Sequence, residues 1–138
     1  MARRPIEHGP PFIWVFGSNL AGRHGKGAAL VAIQRHGAIY GQGEGLQGNS
    51  YGIPTKDENL KPRLLDDIFW SVELFKSVAA EMPERTFWVT RVGCGLAGFA
   101  DWQMAPMFWG CPKNCILPDE WTVPANVEMI QRHIALYA

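Results

Sequence analysis

The chain has 138 residues, 13 basic and 13 acidic side chains, and a formal net charge of zero. That balance argues against broad, charge-driven association with nucleic acid, and no apolar run approaches the roughly 18 residues of a membrane span. Charged residues at 19% and apolar residues at 47% describe a globular chain and not a disordered one. The length suits one domain, expected over residues 12–138 behind a flexible, Arg- and Pro-rich N-terminus at 1–11. No apolar signal-type segment follows Arg3 and Arg4. The cysteines Cys94, Cys111 and Cys115 are odd in number and give no disulfide framework, so a reducing cytoplasm is the expected compartment.

Phe12 to Phe16 is a short apolar run rich in aromatic and β-branched residues, and it predicts a buried strand ending at Gly17. A glycine loop follows, and Ala28 to Arg35 predicts a helix stopped by Gly37. Glycine at 41, 43, 45 and 48 predicts a loop with no packed element. Ser50 to Pro54 reads as a second strand closed by its proline. From Pro62 to Met82 the apolar Leu64, Leu65, Ile68, Val72, Phe75 and Ala79 recur every three to four positions, which predicts an amphipathic helix. Thr86 to Val92 reads as a strand, and a second glycine loop with Gly93, Gly95 and Gly98 leaves it. Asp101 is a candidate cap for a helix reaching Phe108, disturbed by Pro106 into a later start or a 3₁₀ opening. Asn114 to Leu117 reads as a last strand, and residues 127–136 as a last helix with Val127, Ile130, Ile134 and Ala135 inward. Strands and helices alternate, so an α/β domain with a mostly parallel sheet covered on both faces is expected.

The chemistry concentrates in the two glycine loops, residues 17–27 and 93–101, each of which leaves a strand and enters a helix. In parallel α/β sheets such loops gather at the carboxyl ends of the strands, where ligands bind. Glycine lets backbone N–H groups approach an anion, and a helix start adds a favourable dipole. Two such loops can hold the two phosphates of one diphosphate, whereas plain tight turns need no ligand. Gly93 to Gly98 fits G-x-G-x-x-G, but the 40 residues that remain are too few for the second half of a dinucleotide fold. Gly25-Lys26-Gly27 resembles part of a P-loop, yet Ala28 stands where Ser or Thr would hold magnesium.

These residues resemble the macro domain family. Gly17-Ser18-Asn19-Leu20-Ala21-Gly22 and Gly25-Lys26-Gly27-Ala28-Ala29-Leu30 are similar to its first ligand loop. Ile53-Pro54-Thr55-Lys56 and Arg91-Val92-Gly93-Cys94-Gly95-Leu96 resemble later landmarks, most of all in the branch of the terminal ADP-ribose protein glycohydrolase and the DNA-ADP-ribose hydrolase antitoxins. The resemblance covers about residues 12–117. It implies a three-layer α/β/α sandwich and an ADP-ribose cleft. Asn19 would lie near the distal ribose, Gly17 and Ser18 would also contact the ligand, and residues 22–27, with Gly22, Gly25, Lys26 and Gly27, would form one wall of the diphosphate site. Gly93, Cys94, Gly95, Leu96, Ala97, Gly98 and Phe99 would form the other wall. Lys56 matches the branch's lysine that attacks the anomeric carbon, a role suited to an amine that can form a covalent sugar adduct. The resemblance departs at Ala97, where the human-type glycohydrolase has an aspartate; Asp101 and Asp57 are the nearby carboxylates, with Asp101 the substitute candidate for the catalytic acid and His24 the next.

The implied partner is ADP-ribose or an ADP-ribosylated macromolecule, with no tight binding of unmodified nucleic acid, no metal and no cofactor. Lys56 read without the resemblance is a solvated loop lysine. His24 could contact phosphate or act as acid or base, and it could equally be a surface histidine. His36 and His133 read as structural. A helix start could lower the Cys94 pKa, but no partner histidine is evident in sequence, so the residue reads as loop packing. Cys111 and Cys115 form a Cys-x₃-Cys pair without a second pair, a weak metal signal. The six tryptophans are mostly core candidates, and Trp102 or Phe99 could stack on an adenine. The expected function is binding, with or without hydrolysis, of an ADP-ribosyl group; a scaffold of the same fold that has lost its ligand is the third reading.

Overall fold

The computed structural model describes residues 12–137. The flexible terminus expected over residues 1–11, with Arg3, Arg4 and His8, lies outside them. Ten elements follow in order: β1 (Ile13–Asn19), α1 (Gly27–Arg35), β2 (Gly45–Gln47), β3 (Ser50–Lys56), α2 (Leu65–Ala80), β4 (Phe87–Val89), α3 (Asp101–Phe108), β5 (Cys115–Ile116), α4 (Asp119–Thr122) and α5 (Pro124–Tyr137). The strands form one mixed, mostly parallel sheet in the order β2-β3-β1-β4-β5, with only β2 antiparallel to its neighbour.

Alternation along β1 explains why helices pack on both faces. Ile13 and Val15 point into the larger core with Tyr51, Ile68, Val72, Phe75, Met104 and Phe108. Phe16, with Trp14 beside it, packs against Ala29 and Ala32 of α1 on the other side. Successive side chains of a strand face opposite ways, so one central strand serves both layers.

The order of the strands locates the site. The chain leaves β1 and returns as β3 on one side of it, then crosses to β4 on the other side. The loops after β1 and β4 therefore diverge, and a crevice opens between their carboxyl ends.

Several expectations need correction. The glycine-rich stretch 41–48 contains β2, because Gly45 takes φ +95° and Gly52 opposite it leaves room that a side chain would fill. A Cβ on Gly52 would come 2.6 Å from the Gly43 carbonyl oxygen. Pro54 does not close β3, which runs on to Lys56; the register with β1 slips between Ser18 and Asn19. The strand expected to Val92 ends at Val89, since the Thr90 amide and hydroxyl both donate to the Val15 carbonyl, at 3.0 and 2.7 Å, and turn the chain.

Helix α2 starts at Leu65 and not at Pro62. Asp101 is the first residue of α3, and Ala100 holds the cap position, with its amide donating to Gln103 Oε1 at 2.9 Å. Pro106 sits inside that helix without delaying it. Helix α4 was not expected, and Ala135 of α5 is exposed. Of the tryptophans only Trp121 is fully buried, while Trp70 stands in solvent. Among the described residues no helix is long and apolar enough to cross a membrane.

Candidate functional site

A cleft of about 360 Å³ lies where the strand order reverses. That volume is at the lower end of the range for small-molecule sites. Gly17 from the end of β1 forms part of it, with Lys26, Gly27 and Ala28 at the start of α1. Thr55 and Lys56 enter from the end of β3, and residues 90–97 (apart from Val92) from the loop after β4. The two glycine loops face each other closely: a Cβ placed on Gly27 would be 3.9 Å from Leu96 Cδ1.

Both walls offer backbone donors. Helix α1 has Lys26 at its cap with no side-chain hydrogen bond, so the first-turn amides lack an internal acceptor. In the opposite loop, Cys94 N–H donates to the Arg91 carbonyl, Gly98 N–H to Gly95 and Phe99 N–H to Gly93, at 3.1, 3.0 and 2.9 Å. These bonds curl the loop and leave the amides of Gly95, Leu96 and Ala97 with no acceptor among the described residues. A Cβ on Gly95 would meet nothing within 4 Å, so the space beside it is open.

The charge pattern is one-sided. Lys26, Lys56 and Arg91 line the cleft, and no carboxylate does. Neither lysine has an ion-pair partner among the described residues. Arg91 is tied back to Asp101, by Nη2 to Oδ2 at 2.8 Å and Nε to Oδ1 at 3.2 Å. Lys56 is held by its backbone on both sides: its carbonyl accepts from Leu20 N–H at 3.0 Å, and it bridges to Pro62.

Of the candidates from the sequence, the structure brings Gly17, Lys26, Gly27, Lys56, Gly93, Cys94, Gly95, Leu96 and Ala97 together on the cleft. The others have different places. Ser18 is buried and its hydroxyl donates to the Gly43 carbonyl. The Asn19 side chain braces its own loop, accepting from Arg23 N–H and donating to the Arg23 carbonyl, both at 2.9 Å. Gly22 is a packing glycine: a Cβ there would lie 2.3 Å from the Gly41 carbonyl carbon. Gly25 is exposed, Gly98 provides a turn at φ +82°, and Phe99 packs against the core.

His24 is 1% exposed and does not line the cleft. Its Nε2–H donates to the Gln42 carbonyl at 2.8 Å and its ring stands edge-on to Phe16, so it pins the first loop from inside. Asp101 borders a separate cavity, where Arg91 and the Trp121 indole N–H, at 2.8 Å, occupy its carboxylate. Those bonds hold it below the usual carboxylate range despite partial burial. Asp57 accepts from the amides of Asn59 and Lys61 within its own turn.

Cys94 packs against the core, in keeping with its reading as a loop-packing residue. Burial, then the neighbouring Asp101 carboxylate, push its thiol up to about 12, so no reactive thiolate forms near neutral pH. Ala28, Thr55, Thr90 and Arg91 line the cleft without having been singled out as site residues. The signal for them was position: each flanks a strand end or glycine loop that was recognised. Among the described residues no group of three or more His, Cys, Asp or Glu could hold a metal. Comparison with protein families, with curated proteins and with solved structures found no match.

Proposed function

We propose that the cleft binds the diphosphate of ADP-ribose or a related ADP-ribosyl derivative, in a three-layer, macro-type domain. One observation carries this reading: two amide-rich glycine loops face each other across a cleft lined by three cations and no carboxylate. A diphosphate offers acceptors to both walls at once, and the cations lower the cost of bringing its charge out of water. A nucleoside monophosphate satisfies only one wall. Isothermal calorimetry is expected to rank ADP-ribose well above AMP and ribose 5-phosphate. Equal or absent binding of all three would sink the proposal.

A second reading adds hydrolysis of an ADP-ribosyl linkage, whether to protein or nucleic acid. The position of Lys56 favours it, on the cleft and free of ion pairs among the described residues. Against it, Ala97 and the lack of a lining carboxylate leave the leaving group without a nearby protein acid. Binding without turnover is therefore the primary reading. Borohydride trapping followed by mass spectrometry should find a ribose adduct on Lys56 if the second reading holds. Good ADP-ribose binding with no turnover of protein-, DNA- or RNA-linked substrates would leave only the first.

A further inference from the structure

We propose that a second cavity, of about 300 Å³ between the start of α3, α4 and α5, binds the guanidinium group of arginine, free or within a polypeptide. This inference does not depend on the reading of the cleft. The cavity is bordered by Asp101, Trp102, Glu120, Asn126, Ile130 and His133, with no lysine or arginine among its lining residues. An anionic guest is therefore repelled, and a cationic one is favoured.

The acceptors available to a guest follow from the hydrogen bonds already made. Asp101 is occupied by Arg91 and Trp121. Glu120 is exposed, and its only ion pair among the described residues is a loose one of 3.9 Å to Arg91. Asn126 donates through Nδ2 to the Asp119 carbonyl at 3.1 Å, which leaves its own carbonyl oxygen available. The lining thus includes a carboxylate and an amide side chain with acceptor capacity to spare. Trp102, in ring contact with His133 at a centroid separation of 4.7 Å, contributes an indole to the lining, and Ile130 contributes an apolar side chain.

Such a combination suits a guanidinium better than an ammonium. The flat, weakly hydrated guanidinium stacks on an indole while its N–H groups reach in-plane acceptors, and the methylene stem covers the apolar side chain. An ammonium holds its water more tightly. A divalent metal is a poor alternative, since no group of three such ligands exists among the described residues. The molecule already sets one guanidinium against these carboxylates: Arg91 approaches both Asp101 and Glu120.

The test is a titration of the whole protein with the capped tripeptide acetyl-Gly-Arg-Gly-amide, followed by NMR at the Trp102 indole N–H. Saturable binding on the order of millimolar is expected for a single side chain. The citrulline and lysine tripeptides should each bind about tenfold more weakly, because one loses the charge and the other the flat stacking surface. Glu120→Gln should weaken the arginine peptide by a similar factor with an unchanged thermal melt, and Trp102→Ala provides a second variant at the indole. Equal binding of the citrulline or lysine peptide overturns the proposal, as does the absence of a saturable shift at Trp102. Free L-arginine binding as tightly as the capped peptide would assign the guanidinium to the amino acid, tighter binding of the peptide would assign it to a polypeptide, and adenosine binding in place of both would overturn the proposal.

Discussion

The cleft and the second cavity are near-mirror images in charge, although one short loop separates them in sequence. The cleft gathers Lys26, Lys56 and Arg91 without a carboxylate, while the cavity gathers Asp101 and Glu120 without a lysine or arginine. The Arg91–Asp101 ion pair spans the boundary, each partner lining a different hollow. A net charge of zero thus conceals two local fields of opposite sign. Net charge governs long-range association, while local lining governs which group is accepted at each site.

The sharpest test of the cleft compares a glycine that lines it with a glycine that packs the first loop. Gly95→Val projects into open space, so it should abolish ADP-ribose binding, by at least about a hundredfold or 2.7 kcal/mol, with an unchanged melting temperature. Gly22→Val should do the reverse kind of damage: its Cβ would sit 2.3 Å from the Gly41 carbonyl carbon, and the melting temperature should fall by roughly 10 °C or more. Calorimetry and circular dichroism separate the two outcomes; a normal melt for Gly22→Val would contradict the loop packing.

A smaller effect is expected when the unpaired cations are removed. Lys56→Ala should weaken ADP-ribose binding by no more than about tenfold, about 1.4 kcal/mol, because the backbone amides persist. The double change Lys26→Met with Lys56→Met should flatten the salt dependence of binding, measured by calorimetry between low and high ionic strength. A salt response as steep as that of the unchanged protein would show that neither lysine meets the anion.

The ion pair at the boundary gives a pH signature. Asp101 has a lowered pKa in the folded protein, so its stabilising contribution is present above the unfolded carboxylate value of about 3.9. The contribution is lost as pH falls through the lower folded value. Because both partners are partly exposed, Asp101→Asn should cost only about 1 kcal/mol at neutral pH. The melting-temperature difference from the unchanged protein should shrink below about pH 4, and a difference that grows in acid would reverse the assignment. The smallest effect concerns Cys94: with its thiol pushed up to about 12, alkylation by iodoacetamide at pH 8 should be much slower than for an unhindered cysteine, as read by mass spectrometry of the proteolytic peptide that carries Cys94.

Much of this architecture can be read from the sequence, for identifiable reasons. Helix α2 announces itself because Ile68, Val72, Phe75 and Ala79 repeat at helical spacing and all become buried. The apolar run of β1 is equally plain because the strand is covered on both faces. β2 is invisible because its residues pair through glycine-enabled backbone approach and the bonds of Gln42 and Gln47, not through an apolar pattern. At the site, the sequence marks the glycines but not their tasks. Gly22 and Gly95 look alike as letters, and only the chain folded around them makes one a packing contact and the other an open wall. The same holds for His24, whose burial depends on the distant Gln42 carbonyl, and for Asp101, whose partner Trp121 is twenty residues away.

The placement of β1 at the centre of the sheet also governs how the molecule can be assembled. Its two neighbours, β3 and β4, come from residues 50–56 and 87–89, so β1 is made well before both of its edges can be satisfied. During translation the apolar segment from Ile13 to Phe16 must wait, unpaired on at least one side, until β4 at Phe87–Val89 has emerged. Nascent-chain chaperones therefore have a defined interval in which to act, and slow elongation before β4 would lengthen the period in which this segment can aggregate.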